Sequence, residues 1–304
     1  QAVTARLSEG LAGDVAWAAE SYRDQPTPQN LSVIADRAER SMQLSIAFQD
    51  GAVLPDEQRR GAVGVVGRVL EKALSSRLGQ ALISPVDGRL VAERQYADIV
   101  QIEQALAAAA HAQAQWKRRP LSERAAFCSA PVDAMLAMKD EIVPELAWQM
   151  GRPVRYGAGE LRGFEERARH MIAIAPQALA ALEADPVAGF RRYIKREPMG
   201  TVLVVAPWNY PYLTAVNTII PALMAGNSVI LKHASQSLLV GERLAQAMRQ
   251  ANLPEGLFQN LLLSHIHTGV VIGSDQVQQV NFTGSVAAGL AMQRSAVGGF
   301  LRGG

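Results

Sequence analysis

The stretch Thr201-Val-Leu-Val-Val-Ala-Pro-Trp-Asn-Tyr-Pro-Tyr212 constrains the fold more than any other part of the chain. Its apolar run, mostly β-branched, lacks the polar alternation of a half-exposed strand. It therefore reads as a strand covered on both faces, as in the parallel sheet of an α/β protein. Pro207 fixes the chain direction where that strand stops, and Pro207 and Pro211 bracket Trp208 and Asn209. Open α/β sheets bind ligands at the carboxyl ends of their strands. An amide held there can donate to a carbonyl oxygen that becomes an oxyanion during reaction, a contribution of roughly 3 kcal/mol. The alternative reading is an Asn that closes its own turn.

Further elements follow in order. Residues 217–226 are a helix candidate whose Ala222, Leu223, Ala225 and Gly226 lead into the apolar strand Ser228-Val-Ile-Leu-Lys232. A second crossover carries Leu253-Pro-Glu-Gly256, then a strand over residues 258–263, then Val280-Asn-Phe-Thr-Gly-Ser285. Together, the Pro-Trp-Asn turn, the strand ending in Lys, the Leu-Pro-Glu-Gly loop and the Phe-Thr-Gly-Ser turn resemble the NAD(P)-dependent aldehyde dehydrogenase superfamily. Weaker matches upstream are Ile83-Ser-Pro-Val-Asp-Gly88, Gly151-Arg-Pro153 and Glu197-Pro-Met-Gly200. The resemblance implies an α/β fold, a Rossmann-like doubly wound parallel sheet, incomplete, preceded by a helical segment. Residues 1–79 are expected to be that segment, and residues 80–304 a dinucleotide-binding domain that stops before the catalytic domain.

In the first part, residues 4–22, 30–48 and 58–76 each show apolar positions recurring at three and four, separated by Pro26 and Pro28 and by Gly51 and Pro55. Alanine-rich amphipathic helices of this kind read as packing elements. Farther on, residues 99–116 form a long helix candidate. Ser122 reads as an N-cap for a helix beginning at Glu123, which Pro131 should kink or end. A helix over residues 154–175, which Pro176 should end or kink, carries Glu160, Arg162, Glu165, Glu166, Arg167 and Arg169 as a solvated face with helical ion pairs.

The formal net charge is +2, with a pI near 8.8 and no long Lys/Arg run, so no nucleic-acid patch is expected. Cys128 is the only cysteine, which excludes an internal disulfide and fits a reducing cytoplasm. It reads as a small buried hydrophobe. No membrane span or leader is legible, and the first residue, Gln1, suggests a processed, tagged or truncated start. His265 and His267 in Ser264-His-Ile-His-Thr-Gly269 stand where the family has a Gly-rich loop; no third metal ligand is evident, and they read as loop residues.

The resemblance further implies which residues meet the cofactor, NADP or NAD: Val205, Ala206, Pro207, Trp208, Lys232, Ala234, Ser235, Phe282, Gly284 and Ser285. Family members commonly read Lys, Pro or a small residue, Ala, Glu where this chain has Lys232-His-Ala-Ser235. A carboxylate at the fourth place accepts from ribose hydroxyls and repels a 2′-phosphate. Ser235 removes that repulsion, with Lys232 and His233 as candidate cations, so NADP is expected to be accepted at least as well as NAD. The other reading of Ser235 is a helix cap. Gly284 permits close backbone approach to a pyrophosphate, and Ser285 offers its amide and hydroxyl. Tyr210 and Tyr212 are expected either near the aldehyde or in the core.

The implied reaction is oxidation of a small-molecule aldehyde to a carboxylic acid, by an enzyme whose full-length relatives are homo-oligomers. Such a reaction needs a thiolate nucleophile and a general base. The family takes the base from a Glu-Leu-Gly-Gly motif and the nucleophile from a Cys beyond it. Here the chain runs Ala296-Val-Gly-Gly-Phe-Leu-Arg-Gly-Gly304. Of the family's catalytic residues only Asn209 maps onto this sequence, so little or no turnover is expected from these residues alone. A noncatalytic nucleotide-binding or interaction protein derived from the family, and an enzyme interrupted by a premature stop or frame change, remain the alternatives.

Overall fold

A computed structural model of the protein describes residues 79–185 and 187–296, with Val33 and the backbone of residues 302–303. Apart from Val33, which is helical, the helices expected over residues 4–22, 30–48 and 58–76 lie outside the described residues. The chain divides into two compact units, Gln1–Ala81 with Glu93–Val100, and Leu82–Ala92 with Gln101–Gly304. The strands β1 (Gly79–Ile83) and β2 (Leu90–Gln95) form a small sheet of their own around the expected turn at Ser84–Gly88.

Four helices follow: α1 (Ile99–Trp116), α2 (Leu121–Ala137), α3 (Lys139–Met150) and α4 (Val154–Ala178). Two short antiparallel strands, β3 (Leu182–Glu183) and β4 (Tyr193–Ile194), lead to the alternating part of the chain. There β5 (Thr201–Val205), α5 (Pro211–Met224), β6 (Ser228–Lys232), α6 (Leu238–Gln250), β7 (Phe258–Asn260), α7 (His265–Ile272), β8 (Gln279–Phe282), α8 (Val286–Ala296) and β9 (Arg302–Gly303) succeed one another.

The sheet order is β7-β6-β5-β8-β9, and every pairing is parallel. From β5 the chain steps outward to β6 and β7, then returns across β5 to place β8 on its other side. Right-handed crossovers put α5 and α6 on one face and α7 and α8 on the other. The two faces are visible in the strands themselves. Val202, Val204, Ala206, Val229 and Leu231 join the core cluster built with α1 to α6, while the buried Leu203, Val205 and Ile230 lie outside it. Period-two alternation thus runs through strands with no polar face. The strand order reverses between β5 and β8, and such a switch point is where an open α/β sheet leaves a crevice beyond its strand ends.

Local anchors fix the entry to β5. Asn227 Oδ1 accepts from the Met199 and Gly200 amides at 2.7 and 3.0 Å. Gly200 has φ +136° and sits against the Gln278 side chain, whose Oε1 accepts from Thr201 N at 2.7 Å. A Cβ at residue 200 would meet that amide, so only glycine fits.

Several expectations are corrected. The first crossover helix starts at Pro211, not 217, because proline suits the first helical position and a distant carboxylate caps the amides that follow. Helix α2 starts at Leu121 directly after Pro120, and no side chain caps it, so Ser122 is not its N-cap. Pro131 does not end α2, which continues to Ala137 with Pro131 packed among its buried residues. Residues 265–272, expected as loop, are helical because the Ser264 hydroxyl accepts from His267 N at 3.1 Å. Strand β7 ends at Asn260, three residues before the expected limit.

Candidate active site

The end of β5 builds one wall of the crevice. Beyond Val205 the chain turns through Pro207, Trp208 and Asn209, the last two exposed, and enters α5. Asn209 Oδ1 accepts from Tyr210 N at 3.1 Å. The carbonyl end of its amide thus closes the turn, and the NH₂ end is left as the donor. The turn-closing reading of Asn209 is thus met by this hydrogen bond.

What holds this turn comes from fifty residues upstream. Glu160 of α4 is only 2% exposed, and its Oε1 accepts from the Tyr212 and Leu213 amides at 3.1 and 3.0 Å. Those are first-turn donors that no intrahelical carbonyl can satisfy, and a carboxylate there also complements the helix dipole. The Glu160 Oε2 is paired with Arg152, whose guanidinium donates in addition to the Asn209 carbonyl oxygen and lies 4.7 Å over the Tyr210 ring. Arg152, Glu160 and the start of α5 thus form one buried clamp on the Asn209 turn. Glu160 is therefore not part of the expected solvated face, although Glu165 and Arg169 on the same helix do form the expected ion pair, at 2.8 Å.

His233 ties the next strand end to the same helix. It is 4% exposed; Nε2 lies 3.3 Å from Pro211 O, and Nδ1 accepts from Ala234 N at 2.9 Å and lies 2.8 Å from Ser237 Oγ. Burial pushes its pKa down to about 4, so the imidazole is neutral at physiological pH. It is thus a structural hinge pin between β6 and α5, not the expected extra cation. Lys232, the register partner of Val205, is also pulled down from the usual ammonium range by burial. Among the described residues it pairs with no carboxylate.

The far wall is the β8–α8 turn. Ser285 Oγ accepts from Ala288 N at 3.3 Å, and Ser285 O from Gly289 N at 3.0 Å, so the serine caps α8. A Cβ on Gly284 would lie 2.6 Å from Phe282 Cζ, which explains the glycine.

These walls enclose a cavity of about 710 Å³, within the range of small-molecule sites. Val205, Ala206, Pro207, Trp208 and Asn209 line it with Lys232, Ala234, Phe282, Gly284 and Ser285. Ser235 does not; it is exposed and opens a short 3₁₀ turn, Ser235–Ser237. Tyr212 is fully buried against Phe164, with ring centroids 6.4 Å apart, and Tyr210 stands outside the lining. The lining also takes in His265, Thr268 and Ile272 of α7 and Ala291 and Met292 of α8. Sequence reasoning missed these, although Ser264 followed by an apolar periodicity was a usable helix-start signal. The titratable side chains of the lining are Lys232 and His265, with no acid and no thiol.

Cys128 lies in the core of α2, fully buried, its thiol pushed up to about 12 by burial. Among the described residues no group of three or more His, Cys, Asp or Glu could hold a metal ion. No helix among them is long and apolar enough to cross a membrane.

An open, doubly wound parallel sheet with a crevice at its switch point places the protein among the α/β domains that hold ligands beyond their strand ends. More narrowly, the chain belongs to the aldehyde dehydrogenase family, which it matches over residues 74–302. It is 32% identical over 212 residues to the NADP(+) succinate-semialdehyde dehydrogenase of Mycobacterium avium, covering 69% of this chain and 45% of that protein. It is likewise 32% identical over 209 residues to the 3,6-anhydro-alpha-L-galactose dehydrogenase of Streptomyces coelicolor, covering 68% and 42%. The solved NADP-dependent glyceraldehyde-3-phosphate dehydrogenase from Bacillus halodurans, complexed with NADP, superposes with a TM-score of 0.68 at 26% identity, over 72% of this chain and 47% of that one. The chain spans less than half the length of these relatives.

Proposed function

We propose that the crevice binds NADP or NAD and that this chain is the cofactor-holding part of an aldehyde-oxidising dehydrogenase. The observation that carries the reading is the convergence of the ends of β5, β6 and β8 on one cavity with two basic groups and no acidic one in its lining. Such a lining suits a polyanion, and the α8 N-terminus, with Gly284 allowing close approach, suits a pyrophosphate. Lys232 and Ala234 would hold the adenosine ribose and Ser285 a phosphate oxygen. When bound, the nicotinamide supplies a hydride acceptor. Asn209 donates through its NH₂ group to the oxygen of a small aldehyde, and the Arg152–Glu160 clamp keeps that donor in place.

Among the described residues no thiol or carboxylate lines the cavity, and on this reading the 304 residues bind and orient the reactants with little or no turnover of their own. A cytoplasmic location and residues 1–79 as a separate helical segment belong to the same proposal. Titration of the chain with NADPH and NADH, followed by fluorescence, is expected to give saturable binding of both. Ser235→Glu is expected to weaken NADPH about tenfold relative to NADH by restoring a carboxylate near the 2′-phosphate. Absence of saturable binding by either nucleotide would remove the proposal. NADP(+) reduction by the chain with an added aldehyde would remove the claim about turnover.

A further inference from the structure

The nitrogen-bearing side chains that could donate to an anion are not evenly placed around the crevice. Strands β6 and β7 are neighbours, with Leu231 opposite Asn260 and Leu261 N donating to Leu231 O at 2.9 Å. The basic side chains of the lining both follow these two strands: Lys232 ends β6, and His265 opens α7 shortly after β7. The β8 and α8 wall contributes Phe282, Thr283, Gly284, Ser285 and small or apolar helix residues, with no charge.

The β7–α7 connection is also built to present His265 in particular. Ser264 caps the helix through its hydroxyl, and its carbonyl oxygen accepts from Thr268 Oγ1 at 2.7 Å, which occupies the one hydroxyl that α7 brings to the cavity. His267, two residues on, is turned inward with Nδ1 buried and unpartnered. His265 is exposed at the first helical position and lines the crevice. An imidazole there is free to donate to an anion.

We propose that His265 is a specificity-determining residue, which with Lys232 receives a phosphate on the adenosine half of the dinucleotide and so favours the 2′-phosphorylated cofactor. The assignment rests on the cofactor reading above and adds to it. Removal of an acid at residue 235 takes away a repulsion, whereas His265 supplies an attraction from the adjacent strand end.

The test separates phosphate recognition from contact with the base. Adenosine 2′,5′-bisphosphate and adenosine 5′-monophosphate are titrated calorimetrically into the 304-residue chain and into His265→Ala, His265→Gln and His265→Lys. Loss of one charge-assisted contact is expected to weaken the bisphosphate about tenfold in the Ala and Gln variants, with the monophosphate changed less than about twofold. Lys at this position should restore bisphosphate binding to within about threefold of the original. Equal losses for the two ligands would make His265 an adenine contact, and unchanged binding of both would leave it a bystander; either result overturns the inference and leaves the cofactor reading standing. Failure of both ligands to bind the unaltered chain would overturn the cofactor reading as well. Because His265 is exposed, the variants should keep the helical circular dichroism of the parent.

Discussion

Helices α5 and α8 follow the two strands that frame the crevice, and the protein holds them in opposite ways. Nine of the fourteen residues of α5 are buried, from Pro211 to Met224, and its first turn is capped by a carboxylate that is itself out of water. None of the eleven residues of α8 is buried, and its start is capped only by its own Ser285. The β5 wall is thus fixed by the core, whereas the β8 wall is fixed by local geometry. The wall that carries Asn209 is the one that must hold a donor at a set position, and it receives the long-range anchors.

The contrast gives an order of expected effects. Glu160→Ala removes the acceptor of two helix-start amides and leaves the half-buried Arg152 without its carboxylate partner, so it should cost about 3–5 kcal/mol of stability, read as a fall in the urea midpoint. A loss below about 1 kcal/mol would mean that α5 does not depend on the clamp. His233 comes next. Its folded pKa is about 4 against an ordinary 6.5, so between those values the unfolded chain takes up a proton that the folded one refuses. Its stabilising share is complete above pH 6.5, declines as the pH falls, and is gone near pH 4, on the order of 3 kcal/mol in all. The check is the stability difference across that window, which His233→Gln should flatten.

On the other wall the effects should shrink. Gly284→Ala puts a methyl 2.6 Å from Phe282 Cζ, and since that ring is only partly buried it can yield, at about 1–2 kcal/mol. Ser285→Ala should cost roughly 0.5–1 kcal/mol in the same unfolding assay. A larger loss for Ser285 than for Glu160 would invert the comparison, and with it the idea that one wall is anchored by the core and the other by its own turn.

The same division explains what was legible in the sequence. Strands β5 and β6 stood out because a strand covered on both faces leaves an unbroken apolar run, a purely local signal. The Pro-Trp-Asn and Phe-Thr-Gly-Ser turns were legible for the same reason. The start of α5 was not, because its cap lies fifty residues away on a helix where Glu160 looked like one more surface charge among Arg162, Glu165 and Glu166. His233 was misjudged because protonation depends on burial, which the tetrapeptide Lys-His-Ala-Ser does not display. Helix α7 was passed over in favour of a departure from a glycine-rich loop, although Ser264 was its cap. Pro131 misled in the opposite direction: tertiary packing of α2 outweighs one missing amide.

The seclusion of Cys128 has a practical consequence. It is the sole sulfhydryl of the chain, and burial both shields it and keeps it protonated. A maleimide dye should therefore pass over the native protein, and a cysteine engineered on an exposed face of α8 would become its single address for a reporter group.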